Sequence, residues 1–319
     1  MKGRRVLITG AGGFVGSALS EGFASRGWDV VAIDRSFDAD PSRDGTRTRR
    51  VVADVADGVP DGIGAVDLVV HAAWVTTAPE DLGVTRAEYS SLNLKPLEAV
   101  LRWVARARPA AFVFLSSSGV FAAADAATGS SASARRPDAA APGLTDALEP
   151  TSDSPYAVAK RTGEDLVVTA GTSGRTSMHV VRLGYLYGPG EMARPTRLGV
   201  SLVAQWIAAA RAGRPLEVRV DDPRREWTWA PDLAPALARI VEGPATPGPI
   251  HLCSPHVYGD RELARAVAAA IPGGEVVTVP AMGRVKAPMV PSDLAALRDF
   301  EWTAAAEGLR VAVGREVVA

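Results

Sequence analysis

The sequence predicts an α/β fold: a doubly wound parallel sheet with a smaller C-terminal substrate-binding lobe. Short apolar runs typical of buried parallel strands alternate with helical segments through the first half of the chain. A glycine-rich turn joins the first run, residues 6–8, to a helix over residues 18–26. Strand, crossover helix and strand in succession give a parallel sheet, and ligands bind such sheets at the carboxyl ends of the strands.

The glycine-rich turn is the first candidate site. Its glycines allow a tight turn, a close approach of the backbone to a pyrophosphate, and close packing of helix on strand. The free N–H groups of the following helix then face the phosphates. We therefore predict dinucleotide binding by Gly10, Gly13, Phe14, Val15 and Gly16.

The second predicted strand, residues 29–33, ends in Asp34. This acid follows the glycines by about 20 residues, where a carboxylate bonds the adenosine ribose hydroxyls of a dinucleotide. Asp34 would repel a 2′-phosphate, which favours NAD over NADP. Arg35 comes next and is suited to a 2′-phosphate, so the sequence leaves NADP open as the alternative.

Tyr156 and Lys160 are the candidate catalytic pair. They lie four residues apart in a predicted helix and therefore share one of its faces. The ammonium favours phenolate, so we expect the pKa of Tyr156 to lie below its ordinary value of about 10. A tyrosine tuned in this way exchanges a proton with an alcohol near neutral pH.

Three further strands end in small or polar residues. The strands cover residues 50–53, 66–70 and 111–115. Directly after them come Asp54, His71-Ala72-Ala73 and Ser116-Ser117-Ser118, in that order. Because parallel strands end at one edge of a sheet, these residues are expected beside the glycine turn. A helix is predicted over residues 93–107, and an exposed loop rich in Ala, Ser and Pro over residues 122–151.

Length and composition fit one cytoplasmic enzyme. The 319 residues can form a large core, and the net charge of −1 gives no electrostatic case for a nucleic acid or a membrane as partner. The single cysteine, Cys253, excludes an internal disulfide and fits a reducing compartment. The four histidines have no metal-ligand spacing, so no metal is expected. No apolar run reaches about 18 residues, and the amino terminus lacks a signal-peptide layout.

Several segments together resemble one family. The chain is similar to the extended short-chain dehydrogenase/reductases, within them the NAD-dependent epimerase/dehydratase group that acts on nucleotide sugars. The resemblance implies a Rossmann-type domain over residues 1–182, to which segments around 227–252 return, and a substrate lobe mainly over residues 183–319. It also implies NAD, a nucleotide sugar or other sugar-like substrate, and a homodimer. The segments that carry it are Thr9-Gly10-x-x-Gly13-x-x-Gly16, His71-Ala72-Ala73, Leu115 to Phe121, Ser154-Pro155-Tyr156, Arg182 to Gly190 and Arg225 to Leu233.

The resemblance also assigns residue roles. Tyr156 is the acid/base and Lys160 holds the nicotinamide ribose. Phe121 stands where the family usually has tyrosine, and counting back four gives Ser117 as the catalytic hydroxyl, while Asn93 supports Lys160 through water. The further contacts it implies are Asp54, Val55, Ala72, Ala73, Lys160 and Leu183 for the cofactor, and Ser118, Tyr185, Arg225 and Trp227 for the substrate.

Plainer interpretations stay open for some of these residues. Ser117 also fits an ordinary serine at a strand end, and Asn93 also fits a helix N-cap. Arg225 and Arg224 suit a diphosphate or a solvated surface. Trp227 lies two residues before Trp229, so the two share a strand face that either stacks on a base or sugar or packs in a core.

One departure from the family narrows the chemistry. The related 4,6-dehydratases follow the catalytic hydroxyl with Asp-Glu, and here those positions are Ser118 and Gly119. Because Gly119 cannot transfer a proton, we expect no dehydration. The first expectation is epimerisation at C4 of a nucleotide sugar through a 4-keto intermediate. The alternatives are an NAD(P)-dependent dehydrogenase or reductase of a sugar, sugar acid or polyol, and a non-catalytic nucleotide-sensing protein.

Overall fold

The computed structural model describes residues 3–37, 47–125, 143–171, 175–243, 246–271 and 274–314. The helices are α1 (Phe14–Ser25), α2 (Pro79–Leu82), α3 (Arg86–Ala107), α4 (Pro155–Gly171), α5 (Leu202–Arg211), α6 (Leu233–Glu242), α7 (Asp260–Ala270) and α8 (Ala305–Gly314). The strands are β1 (Arg5–Thr9), β2 (Asp29–Asp34), β3 (Thr48–Val52), β4 (Leu68–His71), β5 (Ala111–Ser117), β6 (Ala124–Asp125), β7 (Ser177–Leu183), β8 (Tyr185–Tyr187), β9 (Leu216–Arg219), β10 (Arg224–Arg225), β11 (Trp227–Trp229), β12 (Ile250–Leu252), β13 (Tyr258–Gly259), β14 (Val276–Val279) and β15 (Arg284–Val285).

Seven parallel strands form the main sheet in the order β12-β7-β5-β4-β1-β2-β3. Successive strand residues face opposite sides. Val6 and Ile8 therefore pack with α1 and α6 on one face, while Leu7 packs with α3 and α4 on the other. Buried Val, Ile and Leu on both faces explain why the strands read as continuous apolar runs. The predicted doubly wound parallel sheet is confirmed.

Helix α3 begins earlier than the sequence suggested. A capping box starts it: Thr85 accepts from the Glu88 backbone N–H, and the Glu88 carboxylate accepts from the Thr85 N–H. Asn93 consequently lies two turns inside the helix and is buried. The interpretation of Asn93 as an N-cap is therefore wrong, because the Thr85-x-x-Glu88 signal was overlooked.

A second core lies in the C-terminal third. Helices α5, α7 and α8 pack around Trp227 and Trp229 of β11, which pairs with β8. Two segments nevertheless return to the main sheet: β12 extends it beside β7, and α6 packs on α1. The division of the chain into a cofactor domain and a substrate lobe stays a prediction.

The long loop predicted over residues 122–151 is described only at its ends, since residues 126–142 lie outside the described part. At one end β6 pairs antiparallel with β15, and at the other Leu144 bridges to Met289. Among the described residues no helix is long and apolar enough to cross a membrane.

Candidate active site

A cavity of about 1040 Å³ opens at the carboxyl edge of the main sheet. It exceeds the roughly 300–1,000 Å³ of ordinary small-molecule pockets. Of the site residues predicted from the sequence, all but Asn93 and Ser118 line it: Gly10, Gly13, Phe14, Val15, Gly16, Asp34, Arg35, Asp54, Val55, Ala72, Ala73, Ser117, Tyr156, Lys160, Leu183, Tyr185, Arg225 and Trp227. The topology thus gathers segments that are distant along the chain into one site.

The glycine turn forms a cradle that only glycine can line. Gly10 has a φ of 72°, and a Cβ there would lie 2.5 Å from the Ala73 backbone nitrogen. A Cβ on Gly16 would lie 2.1 Å from the Gly10 carbonyl oxygen. Gly13 is the N-cap of α1 and makes no side-chain cap. Bare backbone at the start of a helix fits a dinucleotide pyrophosphate, so these residues fit the cofactor.

Two carboxylates stand at the adjoining strand ends. Asp34 ends β2, and its two oxygens accept from the backbone N–H groups of Gly12 at 2.9 Å and Ser36 at 3.2 Å. Asp54 accepts from the Ala56 N–H at 2.9 Å and so caps a short helical turn. The exposed Arg35 lines the cavity next to Asp34. Asp34, which favours NAD, and Arg35, which suits a 2′-phosphate, therefore lie side by side at the cavity wall.

Ser117, Gly119 and Tyr156 form the reacting end of the cavity. Ser117 ends β5, and its Oγ accepts from the Gly119 N–H at 3.0 Å. The Tyr156 ring lies directly against Gly119, since a Cβ on that glycine would be 2.8 Å from Cε1 of Tyr156. Helix α4 holds Tyr156 through backbone packing against this turn.

Burial raises the pKa of Tyr156. Desolvation raises its pKa above the ordinary value, while Ser117 and the positive charge of Arg197 oppose that rise. The expected lowering of this pKa by Lys160 is therefore wrong for the chain as it stands, because the sequence did not show how far the phenol is desolvated. In the structure the phenol keeps its proton at neutral pH.

Lys160 lies one turn along α4 from Tyr156. Its Nζ donates to the Leu115 carbonyl at 2.7 Å and sits 3.9 Å from the Trp74 ring centroid, a cation–π contact. The same Nζ is 5.8 Å from the centre of the Tyr156 ring. Burial lowers the pKa of Lys160 well below its ordinary value, and the Glu164 carboxylate opposes that shift.

A buried ion pair between Glu164 and Arg182 lies close to Lys160. Arg182 donates to the two Glu164 oxygens at 2.9 and 2.6 Å, and Ser116 donates to one of them. Both charged side chains are less than a tenth exposed. Glu164 follows Lys160 by four residues in α4, so the two side chains share one helix face and the Glu164 carboxylate lies near the lysine.

Asn93 acts on the segment after β4. Its Oδ1 accepts from the Val75 N–H at 2.7 Å, and its Nδ2 donates to the Tyr89 carbonyl at 3.2 Å. The Tyr89 hydroxyl donates to the Val75 carbonyl at 2.6 Å. These bonds fix Val75 and hence its neighbour Trp74, against which Lys160 rests. A water-mediated role of Asn93 towards Lys160 stays a prediction.

His71 is excluded as an acid or base. It is buried at the end of β4, with its Nδ1 2.8 Å from the Thr9 hydroxyl. Burial and the nearby Lys160 lower its pKa to about 3. The imidazole is therefore neutral throughout the physiological pH range.

The substrate side is built from aromatic rings and paired charges. Arg225 is held by Asp260 at 2.9 Å and stacks on Tyr185, with its Cζ 4.6 Å from the ring centre. Trp227 and Trp229 are both buried in the lobe core, which favours core packing, although Trp227 also borders the cavity. Arg224 is exposed and donates to the Val257 carbonyl outside the cavity.

Ser118 does not lie on the cavity wall, contrary to expectation. The helical turn after Ser117 buries its hydroxyl, which accepts from Lys286 Nζ at 2.6 Å. The same Nζ is 4.7 Å from the Tyr185 ring centre. Burial lowers the pKa of Lys286 to about 8. No sequence signal pointed to Lys286, which is 168 residues from Ser118.

The cavity is closed on another side by residues 191–201, which we call the strap. The family-like segments named from the sequence stop at Gly190 and resume at Arg225, so the sequence did not predict a part for these residues in the site. The strap residues that border the cavity are Met192, Arg194, Thr196, Arg197, Gly199, Val200 and Ser201. Within the described part of the chain, no cluster of three His, Cys, Asp or Glu side chains could hold a metal ion.

The fold and this site define an enzyme of the short-chain dehydrogenase/reductase class. A model of the NAD dependent epimerase/dehydratase family matches residues 6–253, and the chain belongs to that family. The predicted family membership and the prediction of NAD as cofactor are confirmed, with NADP still open as an alternative.

Three similar proteins illustrate the range of the family. A dTDP-4-dehydro-6-deoxy-D-allose reductase of Streptomyces bikiniensis is 27% identical over 94% of this chain and 92% of that protein. A dTDP-4-dehydrorhamnose reductase of Mycolicibacterium smegmatis is 27% identical over 84% of this chain and 69% of that protein. The structure of a UDP-glucuronic acid 4-epimerase from Bacillus cereus in complex with NAD superposes with a TM-score of 0.74, at 17% identity over 97% of both chains.

Proposed function

We propose that this enzyme reduces a keto group on the sugar ring of a nucleoside diphosphate sugar, with NADH as the hydride donor. The sequence favoured C4 epimerisation first and net oxidoreduction second. The dTDP-4-dehydro-6-deoxy-D-allose reductase and the dTDP-4-dehydrorhamnose reductase that this chain resembles act on dTDP-linked keto sugars, which supports placing net reduction first here.

The observation that carries the proposal is the state of Tyr156. Its phenol lines the cofactor cavity beside Ser117, and because burial raises its pKa above an already high ordinary value, it carries a proton at neutral pH. Ketone reduction needs one hydride and one proton, so one such donor is sufficient. Gly119 offers no second acid or base, and its contact with the Tyr156 ring leaves no room for one.

The chain's residues divide the remaining work. A dinucleotide held by the glycine turn and Asp34 would supply the hydride for the carbonyl carbon. As that carbon is reduced, Tyr156 donates its phenolic proton to the carbonyl oxygen, and the alcohol forms. Ser117 donates a hydrogen bond to the same oxygen and so stabilises the developing charge. Lys160 stabilises the resulting phenolate, which regains a proton from solvent.

A diphosphate substrate fits the charge of the cavity wall. The arginines that border it are Arg35, Arg194, Arg197, Arg219 and Arg225. Guanidinium groups match phosphate oxygens in geometry and charge. We propose that Arg225, held against Tyr185 by Asp260, binds the substrate diphosphate at the lobe side.

C4 epimerisation of a nucleotide sugar is the second candidate. It is favoured by the fold match to the UDP-glucuronic acid 4-epimerase, which covers 97% of both chains. An epimerase would use the same Tyr156 as base and then as acid, and it would keep its dinucleotide bound between the two half-reactions.

Two assays distinguish the candidates. A dTDP-4-keto-6-deoxyhexose with NADH should give stoichiometric loss of NADH absorbance and a dTDP-6-deoxyhexose. UDP-glucose and UDP-glucuronic acid, incubated with no added cofactor, should remain unchanged. Product epimers without cofactor consumption would establish the epimerase instead. Turnover only of free sugar acids or polyols would move the enzyme to the other dehydrogenase alternative.

The variant Tyr156→Phe tests the catalytic assignment. It removes one hydroxyl and keeps the ring that packs on Gly119. We expect kcat to fall at least about 1,000-fold, with NADH affinity within about twofold of the parent. Full turnover in this variant would refute the role of Tyr156.

The homodimer implied by the family resemblance stays a proposal. Helices α3 and α4 pack side by side and expose Leu92, Val158 and Val168. Apolar side chains on one pair of helices suit a second copy of the same face. Light scattering after size exclusion should give twice the chain mass, and Val158→Glu should reduce it.

A further inference from the structure

Hydrogen bonds join the strap to the segment that follows β4. Backbone N–H groups of Thr76 and Thr77 donate to the Thr196 carbonyl at 2.8 and 3.1 Å. The Thr77 hydroxyl donates to the Pro195 carbonyl at 2.8 Å and accepts from the Leu198 N–H at 3.1 Å. These bonds fix the backbone on either side of Arg197.

The side chain of Arg197 is fixed as well. One of its terminal nitrogens, Nη2, donates to Glu191, whose carboxylate also accepts from the Ser201 backbone and hydroxyl. The Glu191 side chain is 1% exposed. A reciprocal turn between the backbones of Arg194 and Arg197 closes the strap. The guanidinium is thus preorganised rather than free to rotate.

Arg197 lies against the glycine turn. Its Cζ is 5.1 Å from the Phe14 ring centre, and Phe14 is the first residue of α1. The other terminal nitrogen, Nη1, is buried and has no hydrogen-bond partner among the described residues. A buried guanidinium nitrogen without an acceptor is costly, and a bound anion would satisfy it. The residue borders the same cavity as Gly13, Ser117 and Tyr156.

We propose that Arg197 is a diphosphate-binding residue that the strap contributes to the cofactor cradle. The guanidinium fork suits phosphate oxygens. Arg197 lies beside Phe14, the first residue of α1, and so stands close to the free N–H groups at the start of that helix. Two diphosphates enter this cavity, that of the dinucleotide and that of the nucleotide sugar. The contact with the glycine turn favours the dinucleotide. Binding of the dinucleotide diphosphate follows from the family's cofactor alone. Binding of the sugar-nucleotide diphosphate rests on the proposed function.

The test is a binding measurement on the full-length protein stripped of bound nucleotide. Calorimetry would give Kd values of Arg197→Met for NAD, ADP, adenosine and UDP. Arg239→Met removes the same charge from an exposed pair with Asp299, away from the cavity, and is the matched control. Glu191→Gln keeps the guanidinium but weakens its anchor. None of these readouts requires turnover, so a failure of the proposed reaction would not affect them.

We expect Arg197→Met to raise the Kd of NAD and ADP about 10- to 100-fold and that of adenosine less than about twofold. Arg239→Met should stay within about threefold of the parent, and Glu191→Gln should weaken binding of NAD and ADP less than Arg197→Met does. Weakened UDP with unchanged NAD would overturn the assignment to the cofactor cradle and place Arg197 at the diphosphate of the sugar nucleotide instead. Equal losses for adenosine and ADP, losses in Arg239→Met that match those in Arg197→Met, or no change for any diphosphate would each overturn the proposal.

Discussion

The backbone of Gly119 packs directly against the ring of Tyr156. A Cβ at position 119 would lie 2.8 Å from Cε1 of the tyrosine and 3.3 Å from the hydroxyl oxygen of Ser117. The position that holds an acid in the dehydratases this chain resembles is therefore closed by the catalytic ring itself. The glycine that cannot transfer a proton is therefore also the residue against which the Tyr156 ring packs.

Gly119→Ala should consequently damage catalysis more than folding. A contact of 2.8 Å with an aromatic carbon forces the ring or the turn to move. A displacement of about 1 Å at a reacting group costs about 100-fold in rate. We expect kcat to fall about 10- to 100-fold, measured in the ketoreductase assay, with NADH affinity within about threefold of the parent.

The control for this variant is Gly314→Ala at the end of α8. Among the described residues a Cβ at that position meets nothing within 4 Å, so activity should be unchanged and the melting temperature unchanged or slightly raised by the higher helix propensity of alanine. A fully active Gly119→Ala enzyme would show that the Tyr156 ring has another productive position.

Asp34 should set the preference for NAD over NADP. Its carboxylate is anchored by the Gly12 and Ser36 N–H groups at the mouth of the cradle, where a 2′-phosphate would meet its charge. Asp34→Asn removes the charge and keeps an acceptor. We expect the ratio of kcat/KM for NADH to that for NADPH to fall at least about tenfold.

Arg35 provides the check on that result. If the gain with NADPH comes from an exposed guanidinium beside residue 34, Asp34→Asn/Arg35→Ala should lose it and retain activity with NADH. An unchanged cofactor ratio in Asp34→Asn would mean that another group excludes the 2′-phosphate.

Local sequence patterns predicted the cofactor half of the site. Gly16 is required by contacts within the strand–turn–helix unit, and Gly10 by the backbone of Ala72 and Ala73 that follows the neighbouring strand β4. Asp34 and Asp54 lie at strand ends whose order follows from the alternating pattern. Such features depend on neighbours a few residues away or on the sheet topology. They are readable before any tertiary contact is known.

Features that arise from tertiary contacts could not be read in this way. Lys286 meets Ser118 and Arg197 meets Phe14 across more than 160 residues of chain, through irregular segments without periodic signals. The prediction that the pKa of Tyr156 is lowered was wrong for the same reason. The spacing showed that a charge is nearby, whereas the degree of desolvation depends on tertiary packing around the ring, which includes Val75 and Tyr89.

Removing one member of the Glu164–Arg182 pair should be strongly destabilising. Arg182→Met would leave the Glu164 carboxylate buried, with the Ser116 hydroxyl as its one remaining hydrogen-bond donor among the described residues. Breaking a buried pair costs about 3–5 kcal/mol. We expect the free energy of unfolding, measured by urea denaturation, to fall by about that amount.

The double variant Arg182→Met/Glu164→Leu separates charge from packing. It removes both charges, so most of the lost stability should return. Activity should remain low, because Lys160 then lacks the carboxylate that supports its charge. A double variant as unstable as the single one would show that Arg182 acts through packing on Phe121 rather than through its charge.

The lowered pKa of Lys286 predicts a stability that rises with pH. Burial lowers this pKa from 10.5 to about 8, so the folded protein binds the proton less tightly than the unfolded chain does. Below pH 8 both states carry the charge, and the folded state bears its desolvation cost. Between pH 8 and 10.5 only the unfolded chain keeps the proton, and stability increases with pH in that window.

Lys286→Met and Lys286→Arg isolate this contribution. The stability difference between Lys286→Met and the parent should shrink by about 1–2 kcal/mol between pH 7.5 and 10, less than a fully buried lysine would give because the side chain is partly exposed. Arginine keeps its charge across the range, so the difference between Lys286→Met and Lys286→Arg should stay constant. Chemical denaturation at each pH measures both differences. Parallel curves for the parent and Lys286→Met would show that the ammonium is solvated rather than held beside Ser118 and Tyr185.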